Sequence, residues 1–153
     1  MTAKKYYLTS EGLQKLKEEL DHLINERRQE IIERIQEAVA HGDLSENADY
    51  AQAKEEQAFV EGRISEIEDI VRNAEIIKHT AGDVVNIGSS VKVKMDAKEY
   101  VYSIVGSNEA NPREGRISNE SLVGRSLLGR KKGDKIEVET PSGVKTYEVL
   151  QVI

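Results

Sequence analysis

Residues 10–40 and 50–74 each carry an apolar seam at coiled-coil spacing, and only a short polar break separates them. Leu13, Leu16, Leu20 and Leu23 recur at intervals of 3, 4 and 3, which keeps one helix face turned toward a partner helix. The seam then slips by one residue and resumes at Ile24, Ile31, Ile35 and Ala38, with Arg28 at a seam position. A slip of this kind predicts a local change in supercoil. The second seam, Tyr50, Ala53, Gln57, Val60, Ile64, Ile67, Val71 and Ala74, alternates between intervals of 3 and 4. The break itself is Ala40-His41-Gly42-Asp43-Leu44-Ser45. A connection this short folds the two helices back as an antiparallel pair. Each arm of about 30 residues is about 45 Å long at the α-helical rise. Periodicity alone fits a dimerisation or scaffolding element.

Composition supports long solvated helices over one large core. Charged residues make up 33% of the chain, aromatics 5%, and Trp is absent. With no cysteine, a disulfide framework and a thiolate metal site are both excluded. The opening residues hold no apolar run behind their charges, so no signal peptide is expected. No stretch approaches the length of a membrane span, and a soluble, cytoplasmic protein is expected. The net charge of −6 argues against a broad basic surface for duplex nucleic acid. Its distribution is uneven. The first 80 residues hold 11 basic and 18 acidic side chains, and residues 81–153 hold 11 and 10.

After Ile77 the helical period is lost, and the turn-rich segment around Gly82 places a domain boundary between residues 78 and 79. Period-two runs follow at Val91, Val93 and Met95 and at Tyr100, Tyr102 and Ile104. Residues 107–116, with Asn111-Pro112, read as a loop, and residues 119–128 as a short helix ending at Gly129. Residues 135–140 and 144–152 flank Pro141-Ser142-Gly143 as a hairpin. The expected fold is α+β: an antiparallel helical hairpin over residues 1–78, then a small, mostly antiparallel β domain over residues 79–153.

The chemistry is concentrated at the hairpin tip, residues 41–50. Gly42 permits the reversal. Asp43 and Glu46 are three apart, the spacing of a capping box at the start of the second helix. On this reading they need no further role. Two carboxylates at an exposed tip make an incomplete metal site, so chemistry there requires a partner to supply the rest. His22, His41 and His79 are scattered without ligand spacing, and there is no nucleophile elbow or phosphate-cradling loop.

The run Gly42-Asp43-Leu44-Ser45-Glu46-Asn47-Ala48-Asp49-Tyr50, followed by Ala53-Lys54-Glu55, resembles the tip signature of the Gre family of transcription elongation (transcript cleavage) factors, and of its GreA-like type. Arg27-Arg28, Glu30-Ile31-Ile32, Glu61-Gly62-Arg63-Ile64 and Ala74-Glu75-Ile76-Ile77 are similar to that family too. So are Tyr102, Ile104-Val105-Gly106, Ile117-Ser118, Leu127-Leu128-Gly129 and Thr140-Pro141-Ser142-Gly143. The resemblance spans nearly the whole chain.

It implies a coiled-coil N-terminal domain and an FKBP-like C-terminal domain. It also implies an accessory factor that stimulates the endonucleolytic activity of RNA polymerase and is not an enzyme by itself. The C-terminal domain, through Ser118, Ser121, Leu122 and Gly124, would dock on the largest subunit at the rim of the polymerase's secondary channel. The tip would then reach the catalytic centre. There Asp43 and Glu46 would share a second Mg2+ with the polymerase and orient a water, so that backtracked RNA is cut near its 3′ end. No metal is expected to bind tightly to the free protein, which is expected to be a monomer. Ser45, Asn47, Tyr50 and Lys54 match tip positions that would meet the RNA. Two departures stand out: Val39 where the family has Arg, and Leu122 where Pro commonly follows the docking Ser. Rival readings are a Gre homologue that inhibits polymerase from the same channel and an FKBP-like isomerase or chaperone.

Overall fold

The computed structural model describes residues 3–43, 47–78 and 82–153. It divides into two compact units, Leu13–Asn73 and a second made of Met1–Gly12 with Ala74–Ile153. This differs from a single cut between residues 78 and 79. The reason is a pair of short strands: β1 (Tyr6–Leu8) runs parallel to β2 (Ala74–Ile76). The Ile77 N–H then donates to the Leu8 carbonyl at 2.7 Å. Ala74, expected to close the helical seam, is therefore the first residue of a strand. Asn73 ends the preceding helix, its N–H and side-chain amide both donating to the Asp69 carbonyl.

Three helices follow the seams. They are α1 (Ser10–His22), α2 (Arg28–Ala40) and α3 (Ala48–Arg72), and a π-helical stretch, Leu23–Arg27, joins the first two. The one-residue slip between Leu23 and Ile24 falls in this stretch. A π turn accommodates one residue more than an α turn, so both side chains reach the same seam without breaking the helix. Leu20, Leu23, Ile24 and Ile35 all pack against the buried cluster of Ile31, Val60 and Ile64. What the spacing suggested as a supercoil change is thus a π bulge.

Arginines and glutamates flank this narrow seam. Arg28 holds Glu61 in a bidentate pair at 2.7 and 2.8 Å, and Arg63 holds Glu19 at 2.7 and 2.9 Å. Arg27 and Arg34 of the first arm converge on Glu56 of the second. Bidentate pairs, and a glutamate shared by two arginines, hold register better than isolated surface contacts.

The second unit carries a five-stranded sheet in the order β5-β4-β3-β7-β6, formed by β3 (Ser90–Met95), β4 (Lys98–Val105), β5 (Arg116–Ser118), β6 (Lys135–Thr140) and β7 (Gly143–Val152). All neighbours are antiparallel except β4 and β5. Alternation along the strands sends Val91, Val93, Ile104, Ile136, Val138, Tyr147 and Val149 into one core. The six-residue α4 (Leu122–Leu127) covers it with Leu127. β5 lies at the end of the segment expected to be a loop. Tyr100 and Tyr102 stack at 6.0 Å and pack against the same core, and burial pushes the Tyr102 and Tyr147 phenols up. None of the described helices is long and apolar enough to cross a membrane.

Candidate functional site

At the tip, α2 ends at Ala40 and the chain turns through His41 and Gly42. Gly42 takes φ +108°, a left-handed conformation that glycine adopts without a Cβ penalty. Its N–H donates to the Val39 carbonyl, and that of His41 to Ala38, closing the last turn of α2. Asp43 comes next and is exposed. Ser45 and Glu46 lie outside the described residues.

The cap of α3 is Asn47. Its Oδ1 accepts from the Tyr50 N–H at 3.1 Å, while its Nδ2 donates across to the Ala38 carbonyl at 2.9 Å. The capping-box expectation for Asp43 and Glu46 is therefore overturned, because α3 starts at Ala48, too late for Asp43 to cap it. Asn47, expected to meet RNA, bonds one backbone group at the facing end of each helix. An Asn three residues ahead of the first seam residue, Tyr50, is itself an N-cap signal, and it was available in the sequence.

The remaining tip residues are simpler. Tyr50 is half-buried, and the Lys54 ammonium donates to Gln57 Oε1 at 3.0 Å on an exposed face. Val39 is 49% exposed. Arg34, Glu37, Ala38, His41 and Asp49 line a shallow depression beside the turn. Further along the arms, the hydrogen bond from Arg34, supported by Arg27, holds the Glu56 carboxyl below its ordinary value. Glu19 and then Glu66 push the Arg63 guanidinium up. Arg27, Arg28, Arg34 and Arg63 are thus each engaged by glutamate.

Asp43 supplies hard oxygen ligands of the kind Mg2+ takes. Among the described residues, though, no group of three or more His, Cys, Asp or Glu side chains could hold a metal.

The second unit brings the four expected docking residues into one turn. Ser121 caps α4, its Oγ accepting from the Gly124 N–H at 3.0 Å and donating to the Ser118 carbonyl at 2.7 Å. Gly124 is buried, and a Cβ there would stand 1.9 Å from that same carbonyl, so glycine is required by close approach. Leu122 opens α4 and is 53% exposed. One residue not anticipated holds the turn from outside: Ser107 Oγ lies 3.0 Å from Ser118 Oγ and donates to Glu120 Oε2 at 2.5 Å. Contacts between positions so far apart leave no local signal.

Two family models match the chain, one after the other. Residues 6–76 match a family model described as transcription elongation factor, N-terminal, and residues 79–153 match one described as transcription elongation factor, GreA/GreB, C-terminal. A transcription elongation factor GreA of Halalkalibacterium halodurans is 53% identical over 153 residues, 97% of each chain. One of Clostridium acetobutylicum is 50% identical over 153 residues, again 97% of each chain. Among solved structures, the GreA factor homolog 1 (Gfh1) protein of Thermus thermophilus aligns over 98% of this chain and 99% of its own, at 30% identity and a TM-score of 0.46.

Proposed function

The chain belongs to the GreA/GreB family of transcription elongation factors, and from that premise we propose that it enters the secondary channel of bacterial RNA polymerase and stimulates the polymerase's own cleavage of backtracked nascent RNA. One observation carries the reading: the helix at the tip is capped by Asn47 and not by Asp43. Asp43 stands exposed in the turn between the arms.

In this reading the second unit docks at the channel rim through the Ser118–Gly124 turn and exposed Leu122. The hairpin then delivers Asp43 and Glu46 beside the polymerase's catalytic carboxylates. Mg2+ shared between the two proteins would lower the pKa of an attacking water and stabilise the leaving oxygen. Asp43 and Glu46 would hold that ion jointly with the polymerase, and the carboxylates would also orient the water toward the scissile phosphate. The protein is an accessory factor here: the pocket and most of the ligands belong to its partner. Ser45 and Tyr50 remain positions that would meet the RNA near its displaced 3′ end. Because glutamates engage four arginines of the arms, the hairpin offers little free basic surface to a long extruded transcript, which suits short backtracked RNAs.

The test is RNA cleavage in stalled, backtracked polymerase complexes with wild type, Asp43→Asn and Glu46→Gln. Both variants are expected to keep the far-ultraviolet helical signal and to lose stimulated cleavage by at least about a hundredfold, the scale of lost electrostatic stabilisation at a reacting centre. Unchanged cleavage with Asp43→Asn would sink the assignment. Inhibition of elongation by the wild type, without cleavage, would favour the inhibitory homologue instead.

A further inference from the structure

We propose that Asn47 is the positioning residue of the tip: its side chain clamps the two arms together at the base of the carboxylate-bearing loop. This inference rests on the cleavage reading above. Its starting point is the hydrogen bonding of one amide. The last carbonyls of α2 and the first N–H groups of α3 have no partners within their own helices. Asn47 meets one of each, the Ala38 carbonyl at 2.9 Å through Nδ2 and the Tyr50 N–H at 3.1 Å through Oδ1.

Residue type follows from that double duty. The site needs a donor and an acceptor on separate atoms, aimed at opposite helices. Aspartate would supply the acceptor alone, and would set a negative charge against the Ala38 carbonyl. Serine caps helices well, but its single short hydroxyl offers one oxygen for two partners. Asparagine fills both positions, and its backbone at φ −89° and ψ 97° is the extended conformation an N-cap adopts.

The consequence for the carboxylates comes from chain connectivity. Gly42 is tied to Val39 by its N–H, and Asn47 is tied to both arms. Only residues 43–46 lie between these anchors, and the two acids are the first and last of them. Each carboxylate is therefore borne by a residue one peptide bond from an anchored position, about 3.8 Å between Cα atoms. Ala38 and Ala53 are both buried, so the anchor on the Ala38 side is itself fixed by packing. Without the Ala38 bond, the C-terminal anchor would keep its place on α3 but lose its tie to α2. A carboxylate misplaced by about 1 Å at a reacting centre costs on the order of a hundredfold in rate.

The decisive variants keep the cap and remove the clamp. Asn47→Asp and Asn47→Ser both retain an acceptor for the Tyr50 N–H and lose the donor to Ala38. In cleavage assays on backtracked complexes, titrated with factor, both are expected to lower the maximal rate by about tenfold or more. The concentration giving half-maximal stimulation should stay within about twofold, because docking belongs to the other unit. A rise in that concentration with the maximal rate intact would overturn the proposal and return Asn47 to a binding contact. So would an unchanged maximal rate, provided Asp43→Asn abolishes cleavage in the same assay.

A second measurement does not depend on activity. Amide hydrogen exchange in the free protein should show Gly42, whose N–H donates to Val39, exchanging about tenfold faster in both variants, with the Tyr50 and Val60 amides unchanged. If Asp43→Asn leaves cleavage intact, the functional reading fails, and this exchange result still decides the clamp. Equal exchange in variants and wild type would overturn it.

Discussion

The carbonyl oxygen of Tyr7 lies 1.8 Å from where a Cβ on Gly106 would stand. Gly106 has φ −68° and ψ 158°, a conformation open to any residue, so its glycine is required by space and not by the backbone. The contact seats β1 against the turn that follows β4. Gly106→Ala is expected to destabilise this unit by about 1–3 kcal/mol, the usual range for overpacking. Urea denaturation followed by tyrosine fluorescence measures it, and a variant as stable as wild type would show that β1 is not held there.

A second long-range contact gives a sharper test. Glu109 accepts from the Thr9 N–H and from the Thr9 hydroxyl, each at 2.6 Å, and the Gly12 N–H donates to Thr9 Oγ1 at 3.0 Å. The carboxylate also fills the space above Gly12, where a Cβ would meet Oε1 at 2.3 Å. Glu109→Ala should cost about 1.5–3 kcal/mol through the lost charge-assisted bonds. Gly12→Ala should be destabilising in the wild type, since it evicts that carboxylate. In the Glu109→Ala background the same change should stabilise by up to about 1 kcal/mol, the helix preference of Ala over Gly. A double-mutant cycle that shows additivity would refute the contact.

These two contacts also show what the sequence hides. The arms of the hairpin were legible because a seam repeats over many turns, and the slip at Leu23 and Ile24 was visible too. Its form as a π bulge was not, since spacing reports where a face shifts and not which hydrogen bonds shift with it. The strands Tyr6–Leu8, Ala74–Ile76 and Arg116–Ser118 are too short to show a period. Each exists because a partner strand distant in sequence pairs with it. At the tip, local rules pointed to Asp43 as a cap, whereas Asn47 suits the same rule and lies nearer the seam. The motif surrounding Asp43 and Glu46 was more informative than their spacing.

The arms should lose stability in acid, and Glu56 predicts the range. Arg34 first, with Arg27, holds its carboxyl below the ordinary value of 4.5. A carboxyl depressed in the folded state stabilises above its unfolded value, and that contribution fades as pH falls through the folded one. The melting temperature of the helical signal is therefore expected to hold above about pH 5 and to decline below 4.5. Glu56→Gln should flatten this decline and lower the plateau, and added salt should shrink the difference because these groups are only partly buried. Parallel pH profiles for the variant and the wild type would exclude Glu56 as a contributor.

Leu122 offers the complementary test of the docking surface. It is the first residue of α4, placed by the Ser121 cap, and it remains 53% exposed while Leu127 of the same helix is fully buried. A leucine held outward on a rigid turn, with Ser107 and Glu120 bracing that turn, is suited to being buried by a partner. If the polymerase covers it, Leu122→Ala removes about 1.5–2 kcal/mol of apolar burial, roughly a ten- to thirtyfold rise in the concentration giving half-maximal cleavage. The maximal rate at saturation should not change, because the tip is untouched. Ser121→Ala should act in the same direction but more weakly, by loosening the cap at a cost of about 1 kcal/mol. This pattern is the reverse of that expected for Asp43→Asn, which should lower the maximal rate and leave half-saturation alone. A Leu122→Ala variant with unaltered half-saturation would place the docking contact elsewhere on the sheet domain.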